Sequence, residues 1–268
     1  MTTRSVGIVG LGRMGSTLAV GFSRAVEPDC LFAAGRSAAS VARVTETVPS
    51  ITIVPLAELA DRATLIVLCV RNADLPVVLG DIRPGLTDQH VLITINNGLP
   101  LRALAATVPG PVAKLIPSVG NEIGVGATLL TPGPGLGERA VDELVTLLRR
   151  FSRPFLITEG QGRAATDLAS CGPALLASAA RSMVRAQLER GTQLPPDLAE
   201  QLVTQSLIAA SQLLAEGACL DEIIDRVAVP GGNTAAAVEA SRDDLTAAWR
   251  AAFQATASNE GGKPLPSL

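Results

Sequence analysis

Val6-Gly7-Ile8-Val9-Gly10-Leu11-Gly12-Arg13-Met14-Gly15 is the stretch on which the reading of the fold turns. A short β-rich run leads straight into G-x-G-x-x-G, and helix-favouring residues follow. In that context the three glycines have separate uses. Gly10 permits a tight turn, Gly12 lets a diphosphate approach the backbone, and Gly15 lets the helix lie close on the strand. The helix N-terminus then offers unpaired N–H groups and the positive end of its dipole to an anion. The stretch predicts a strand–loop–helix that binds a dinucleotide.

Working outward, short apolar runs recur at Leu31–Ala34, 51–54, 65–70, 91–95, 112–116 and 155–158. Several are continuous rather than alternating, as expected when both faces of a sheet are covered. Segments with helical character lie between them at 15–25, Ala38–Thr47, 56–62, 73–82 and 101–107. This alternation predicts an α/β domain over 1–160, a Rossmann-type doubly wound sheet. Residues 131–137 (TPGPGLG) read as a Pro/Gly loop within it. From 164 to 257 no strand is legible. In 198–215, Leu202, Leu207, Leu213 and Leu214 join alanines in a broad apolar surface. Helices this apolar pack on other helices, in the same chain or in a partner. Residues 161–268 are therefore expected to form an all-helical domain that dimerises, with 259–268 as a mobile tail.

Composition narrows the chemistry. The 268 residues are 47% hydrophobic, 18% charged and 2% aromatic, with no Tyr and with His90 as the one histidine. Lys114 and Lys263 are the two lysines. A Tyr acid, a His pair or a Tyr–Lys couple cannot be built from this chain alone. A net charge of −3 creates no field for a polyanion, and few aromatics leave no stacking platform, so nucleic acid is not an expected partner. Cys30, Cys69, Cys171 and Cys219 lie far apart, which with one His excludes a zinc site and makes structural thiols in a reducing cytoplasm the expectation. No signal-peptide pattern and no membrane-length apolar run are present in the sequence, so no membrane is expected as a partner.

The second strand bears on which dinucleotide binds. NAD sites usually place an acid there, about 20 residues after the loop, to hold the ribose 2′-OH. Here Leu31–Ala34 is followed by Gly35-Arg36-Ser37. Arg36 can face a 2′-phosphate and Ser37 can donate to it, so NADPH is expected over NADH. Val70 and Arg71 follow the fourth strand and Asn97 follows the fifth. All three are placed at carboxyl ends of strands, beside the cofactor crevice. Ordinary turn chemistry is the competing explanation.

Three further patches stand out: Lys114-Leu115-Ile116-Pro117-Ser118, Ser170-Cys171-Gly172-Pro173-Ala174 and Val229-Pro230-Gly231-Gly232-Asn233-Thr234. In the last, Pro and two Gly end one helix and Asn-Thr starts the next. Its free N–H groups form a small anion site suited to a carboxylate, with the Thr234 hydroxyl nearby. A plain helix–helix turn with an N-cap explains the same residues.

Over 6–239 the chain resembles the pyrroline-5-carboxylate reductase family. The resemblance is carried by GIVGLGRMG, by KLIPS against an R-V-M-P-N-like run, and by GVGATLL against a G-x-G-type segment. CGPALL stands against G-S-G-P-A-Y, and VPGGNT against S-P-G-G-T-T. It implies a Rossmann domain and a helical domain that interlocks with a second subunit, giving a homodimer or a higher oligomer. It also implies NAD(P)H-dependent reduction of a cyclic imine carboxylate in proline biosynthesis. By the same resemblance Gly10, Gly12, Arg13, Met14 and Gly15 hold the cofactor phosphates, with Arg36 and Ser37 at the adenosine ribose. Thr234 is the catalytic residue, hydrogen-bonding near the imine nitrogen. Gly231, Gly232 and Asn233 surround the substrate carboxylate, and Ser118, at the position of the family's Asn, also binds the substrate.

The departures gather at the substrate motifs. Val229 replaces a Ser, Ser118 an Asn, Cys171 a Ser, Leu175 a Tyr, and Arg71-Asn72 a Lys-Pro. Two other readings therefore stay open: a reductase of another imine or small carbonyl acid, and a non-catalytic NADP-binding regulator. β-Hydroxyacid dehydrogenases share the loop but need a Lys in the helical half, where only Lys263 exists. Ketone reduction needs a general acid, whereas a protonated imine already carries the charge that draws hydride. Thr234 and backbone donors suffice for that; Lys114 is a candidate acid at a strand position, and His90 is expected to be structural.

Overall fold

The computed structural model describes residues 4–262, 264 and 266. Two compact units emerge: residues up to Pro173 together with those from Ala257 on, and Ala174–Thr256. The first unit runs past residue 160 because α7 (Gly162–Ala169) packs on the sheet and the Ser170 hydroxyl just beyond it donates to the Pro117 carbonyl at 2.8 Å.

The sheet has eight strands: β1 (Val6–Val9), β2 (Leu31–Ala34), β3 (Thr52–Ile53), β4 (Leu65–Leu68), β5 (Val91–Thr94), β6 (Val112–Pro117), β7 (Ala127–Pro132) and β8 (Arg153–Leu156). Their order is β3-β2-β1-β4-β5-β6-β7-β8. The first six are parallel; β7 runs antiparallel to β6, and β8 is parallel to β7. One face carries α1 (Arg13–Ser23), α2 (Ala38–Thr47) and α6 (Glu138–Leu148). Leu18, Phe22, Val44, Leu144 and Leu148 from these helices bury against Ile8, Val67 and Leu115. The other face carries α3 (Leu59–Arg62), α4 (Leu75–Ile82) and α5 (Leu101–Ala105), which bury Leu59, Leu75, Leu79 and Leu104 against Val9, Ile66 and Leu92. Two covered faces explain why β1, β4 and β5 are buried at every position and read as unbroken apolar runs.

Two elements were absent from the sequence reading. β7 takes Thr131 and Pro132 out of the expected Pro/Gly loop, which shrinks to 133–137. The helix α6 buries Leu144 and Leu148, one turn apart, on an otherwise polar segment. Expected strand and helix ends also shift by a residue or two, and β8 begins at Arg153 rather than 155.

The second unit is helical, with α8 (Gly172–Glu189), α9 (Pro196–Ala215), α10 (Leu220–Val227) and α11 (Asn233–Gly261) contributing to it. The helix α11 continues into the segment expected to be a mobile tail, of which Lys263, Leu265, Ser267 and Leu268 lie outside the described residues. Among the described residues of Ala174–Thr256, Ala199 alone is fully buried, while Leu176, Met183, Leu202, Leu220 and Leu245 stand exposed. No helix is long and apolar enough to cross a membrane among the described residues.

Candidate functional site

β1 lies between β2 and β4, so the strand order reverses there and a crevice opens beyond their carboxyl ends. The glycine loop occupies that point. Gly10 sits at φ +91°, and its N–H donates to the Ala34 carbonyl at 2.8 Å. A Cβ at Gly10 would stand 2.7 Å from the Cys69 carbonyl oxygen, and one at Gly15 would fall on the Gly10 carbonyl oxygen. Gly12 differs: its backbone is extended, and a Cβ there would meet nothing within 4 Å. The first turn of α1 has no acidic side chain and no side-chain cap. Exposed backbone donors beside open space fit the diphosphate of a dinucleotide. Arg13, which opens this turn, is exposed, and Met14 after it is half-buried. Arg43, which the sequence reading did not single out, reaches back from α2 and donates to the Leu11 carbonyl at 3.4 Å. Nothing in its local sequence distinguishes it from a solvated arginine.

The loops after β2 and β4 meet beside this turn. Ser37 caps α2, its hydroxyl oxygen accepting the Ser40 N–H at 3.4 Å while its own proton stays available. Arg36 is 85% exposed, and its Nη1 lies 3.5 Å from Asp74 Oδ1. Arg71 Nε donates to Asp74 Oδ2 at 3.1 Å. Val70 packs against Gly10. The Cys69 thiol next to the loop is pushed up to about 12 by burial and stays protonated, adding no charge at neutral pH.

The far side of the crevice is tied up internally. The Asn97 side-chain amide donates to Glu260 Oε1 at 2.8 Å, and the Asn97 carbonyl accepts from Lys114 Nζ at 2.7 Å. Lys114 is nearly fully buried, and its Nζ also donates to Glu159 Oε1 at 3.1 Å. Glu159 in turn accepts the Leu101 N–H at 3.0 Å. The candidate acid is thus a strut joining β6 to two loops. Ser118 is only 2% exposed, and its N–H donates to Asn121 Oδ1. His90 Nδ1 accepts the Thr87 N–H at 3.0 Å, which leaves the Nε2 proton for the Ala60 carbonyl at 2.9 Å. The histidine holds two backbone segments together, the structural role expected of it.

Within the helical unit, Gly231 adopts φ +76° between α10 and α11. The Gly232 N–H donates to the Val229 carbonyl at 2.9 Å, and its own carbonyl accepts the Ala236 N–H at 3.2 Å. Gly232 therefore caps α11. Thr234 falls inside the first turn, exposed and without a hydrogen bond among the described residues, so helix capping does not account for it. Asn233 beside it is also exposed. No group of three or more metal-ligating side chains occurs among the described residues.

Residues 159–261 match the family model described as pyrroline-5-carboxylate reductase dimerisation, and residues 1–92 match a Rossmann-like domain. The helical part of the chain is thus similar to the pyrroline-5-carboxylate reductase family. Among curated relatives, "ComE operon protein 4" of Bacillus subtilis (strain 168) is 28% identical over 255 residues, covering 94% of this chain and 93% of the relative. "Pyrroline-5-carboxylate reductase 3" of Macaca fascicularis is 26% identical over 259 residues, again 94% and 93%. Among solved structures, a pyrroline carboxylate reductase of Plasmodium falciparum with NADP bound superposes with a TM-score of 0.82 at 22% identity, covering 97% of this chain and 98% of that one. A pyrroline-5-carboxylate reductase from Coxiella burnetii gives 0.85 at 18%, with the same coverage. The fold is thus the family's: a Rossmann-like sheet followed by the helical region of its dimerisation domain.

Proposed function

We propose that this chain is a member of the pyrroline-5-carboxylate reductase family, a cytoplasmic homodimer that uses NADPH to reduce a cyclic imine carboxylate, pyrroline-5-carboxylate to proline. One observation carries the choice of an imine over a ketone. Lys114, the candidate acid, and His90, the one histidine, are both buried and committed to internal hydrogen bonds. A ketone would need a positioned general acid to protonate the developing alkoxide, and neither of these residues is free to serve. A protonated imine needs none: its nitrogen already bears the proton, and hydride at the adjacent carbon completes a neutral secondary amine. The relative from Plasmodium falciparum, described with NADP bound, supports the cofactor class.

When bound, the reduced nicotinamide supplies the hydride. The chain supplies placement. Gly10, Gly12, Arg13, Met14 and Gly15 receive the diphosphate, with Val70 against the turn. Arg36 and Ser37 face the 2′-phosphate, and Arg71 and Asn97 border the crevice. Thr234, with its free hydroxyl, orients the imine nitrogen, while the Gly231-Gly232-Asn233 turn presents N–H groups to the carboxylate. Ser118 positions the loop after β6 through its N–H to Asn121 Oδ1.

Thr234→Ala is expected to lower turnover by ~10–100-fold, the scale of one hydrogen bond to a charged group, with NADPH affinity unchanged. Steady-state rates alongside calorimetric cofactor titration check this, and an unchanged rate removes Thr234 from catalysis. Val229 and Leu175, where the family carries Ser and Tyr, favour a second reading in which the substrate is a different imine. Oxidation of NADPH by pyrroline-5-carboxylate supports the first reading. Turnover only with a six-membered cyclic imine supports the second. Cofactor binding without turnover of either defeats both.

A further inference from the structure

Asp74 stands at the N-cap of α4, where an aspartate ordinarily accepts a backbone N–H two or three residues on. Here it makes no such bond. Its two oxygens turn instead to two arginines: Oδ1 to Arg36 at 3.5 Å and Oδ2 to Arg71 at 3.1 Å. Asp74 is the most shielded of the three side chains. Arg36 follows β2 and Asp74 follows β4, and these strands flank β1, whose carboxyl end opens into the glycine loop. The carboxylate that NAD sites carry at the end of β2 is missing from β2, yet a carboxylate stands beside Arg36, delivered from the neighbouring loop.

We infer that Asp74 is a specificity-determining residue that opposes Arg36 and sets the balance between the phosphorylated and unphosphorylated dinucleotide. A 2′-phosphate, carrying close to two negative charges, gains from Arg36 but meets the Asp74 carboxylate a few ångströms away. A free ribose 2′-OH has the reverse preference: it gains nothing from the cation and donates to the carboxylate. Arg71 softens the repulsion by holding the other carboxylate oxygen. The pair Arg36–Asp74 is then a selector with two settings, in which each residue favours a different cofactor. This inference rests on the reading of Arg36 as the residue that meets the 2′-phosphate.

The test measures binding alone. Adenosine 2′,5′-bisphosphate and adenosine 5′-monophosphate, which differ only by the 2′-phosphate, are titrated calorimetrically into the full chain, followed by NADPH and NADH. Asp74→Asn keeps the shape and removes the charge. It is expected to tighten the 2′-phosphorylated ligand, weaken the unphosphorylated one, and move the ratio of their affinities by about tenfold toward the phosphate. Asp74→Glu, which restores the charge, is expected to keep the ratio within about twofold of the parent. An unchanged ratio in Asp74→Asn, or an equal shift in both ligands, overturns the inference. Arg36→Ala separates the two layers. If it moves the ratio and Asp74→Asn does not, only the selector fails; if neither moves it, the reading of Arg36 fails as well.

Discussion

Gly12→Val is expected to fold and melt like the parent protein and to lose dinucleotide binding by more than ~100-fold, about 3 kcal/mol. The first half follows from the backbone. Gly12 lies at φ −70° and ψ −168°, a conformation open to any residue, and a Cβ there meets nothing within 4 Å. The second half follows from what that open space is for. A valine would stand between the exposed donors of α1 and the diphosphate they are proposed to hold, and it would keep the anion from hydrogen-bond distance. Gly15→Ala, three residues on, is expected to behave in the opposite sense. Its Cβ would fall on the Gly10 carbonyl oxygen, so the loop must shift and the melting temperature must drop along with affinity. Thermal melts of both variants, paired with fluorescence titration of NADPH, check the contrast. A Gly12→Val protein that still binds with parental affinity would move the cofactor away from this loop.

Arg36→Ala is expected to weaken NADPH by ~10–100-fold, the worth of hydrogen bonds between an arginine and a phosphate, while NADH changes by less than about threefold. The side chain is well placed to be so selective. It is almost fully exposed, it carries no packing load, and its one ion pair is long, so removing it costs the fold little. The loss should also shrink as salt is added, because an exposed guanidinium is screened within about 10 Å at 0.1 M. Calorimetry with both cofactors at two salt concentrations gives the answer. Equal losses for NADPH and NADH would refute a role at the 2′-phosphate.

The parallel half of the sheet and the glycine loop were legible because their causes are local. A covered strand must be apolar along its length, and a diphosphate-binding turn must have glycines at fixed offsets. β7 and α6 escaped because their signals are mixed. β7 opens beside Gly126 and ends on Pro132, so its apolar centre looks like a loop edge, and α6 shows the core only one narrow side. The site was legible in part for the same reason. Gly10, Gly12 and Gly15 announce themselves by spacing. Asp74 and Arg43 do not, since they reach the cofactor region from other elements and only the strand order brings them there. Lys114 was open to reading as an acid because sequence shows a titratable group but not whether its proton is already spoken for.

Of the described residues in Ala174–Thr256, Ala199 alone is fully covered by the chain itself. A segment with so little interior has almost nothing of its own to set against the entropy of ordering its helices. Its stability is then held in common with whatever covers it. In the proposed homodimer this makes dilution a denaturant, since a fold completed by a second copy is only as stable as the protomer concentration allows. Residues that look like tolerant surface, such as Leu202 and Leu245, would then be as intolerant of polar substitution as a hydrophobic core.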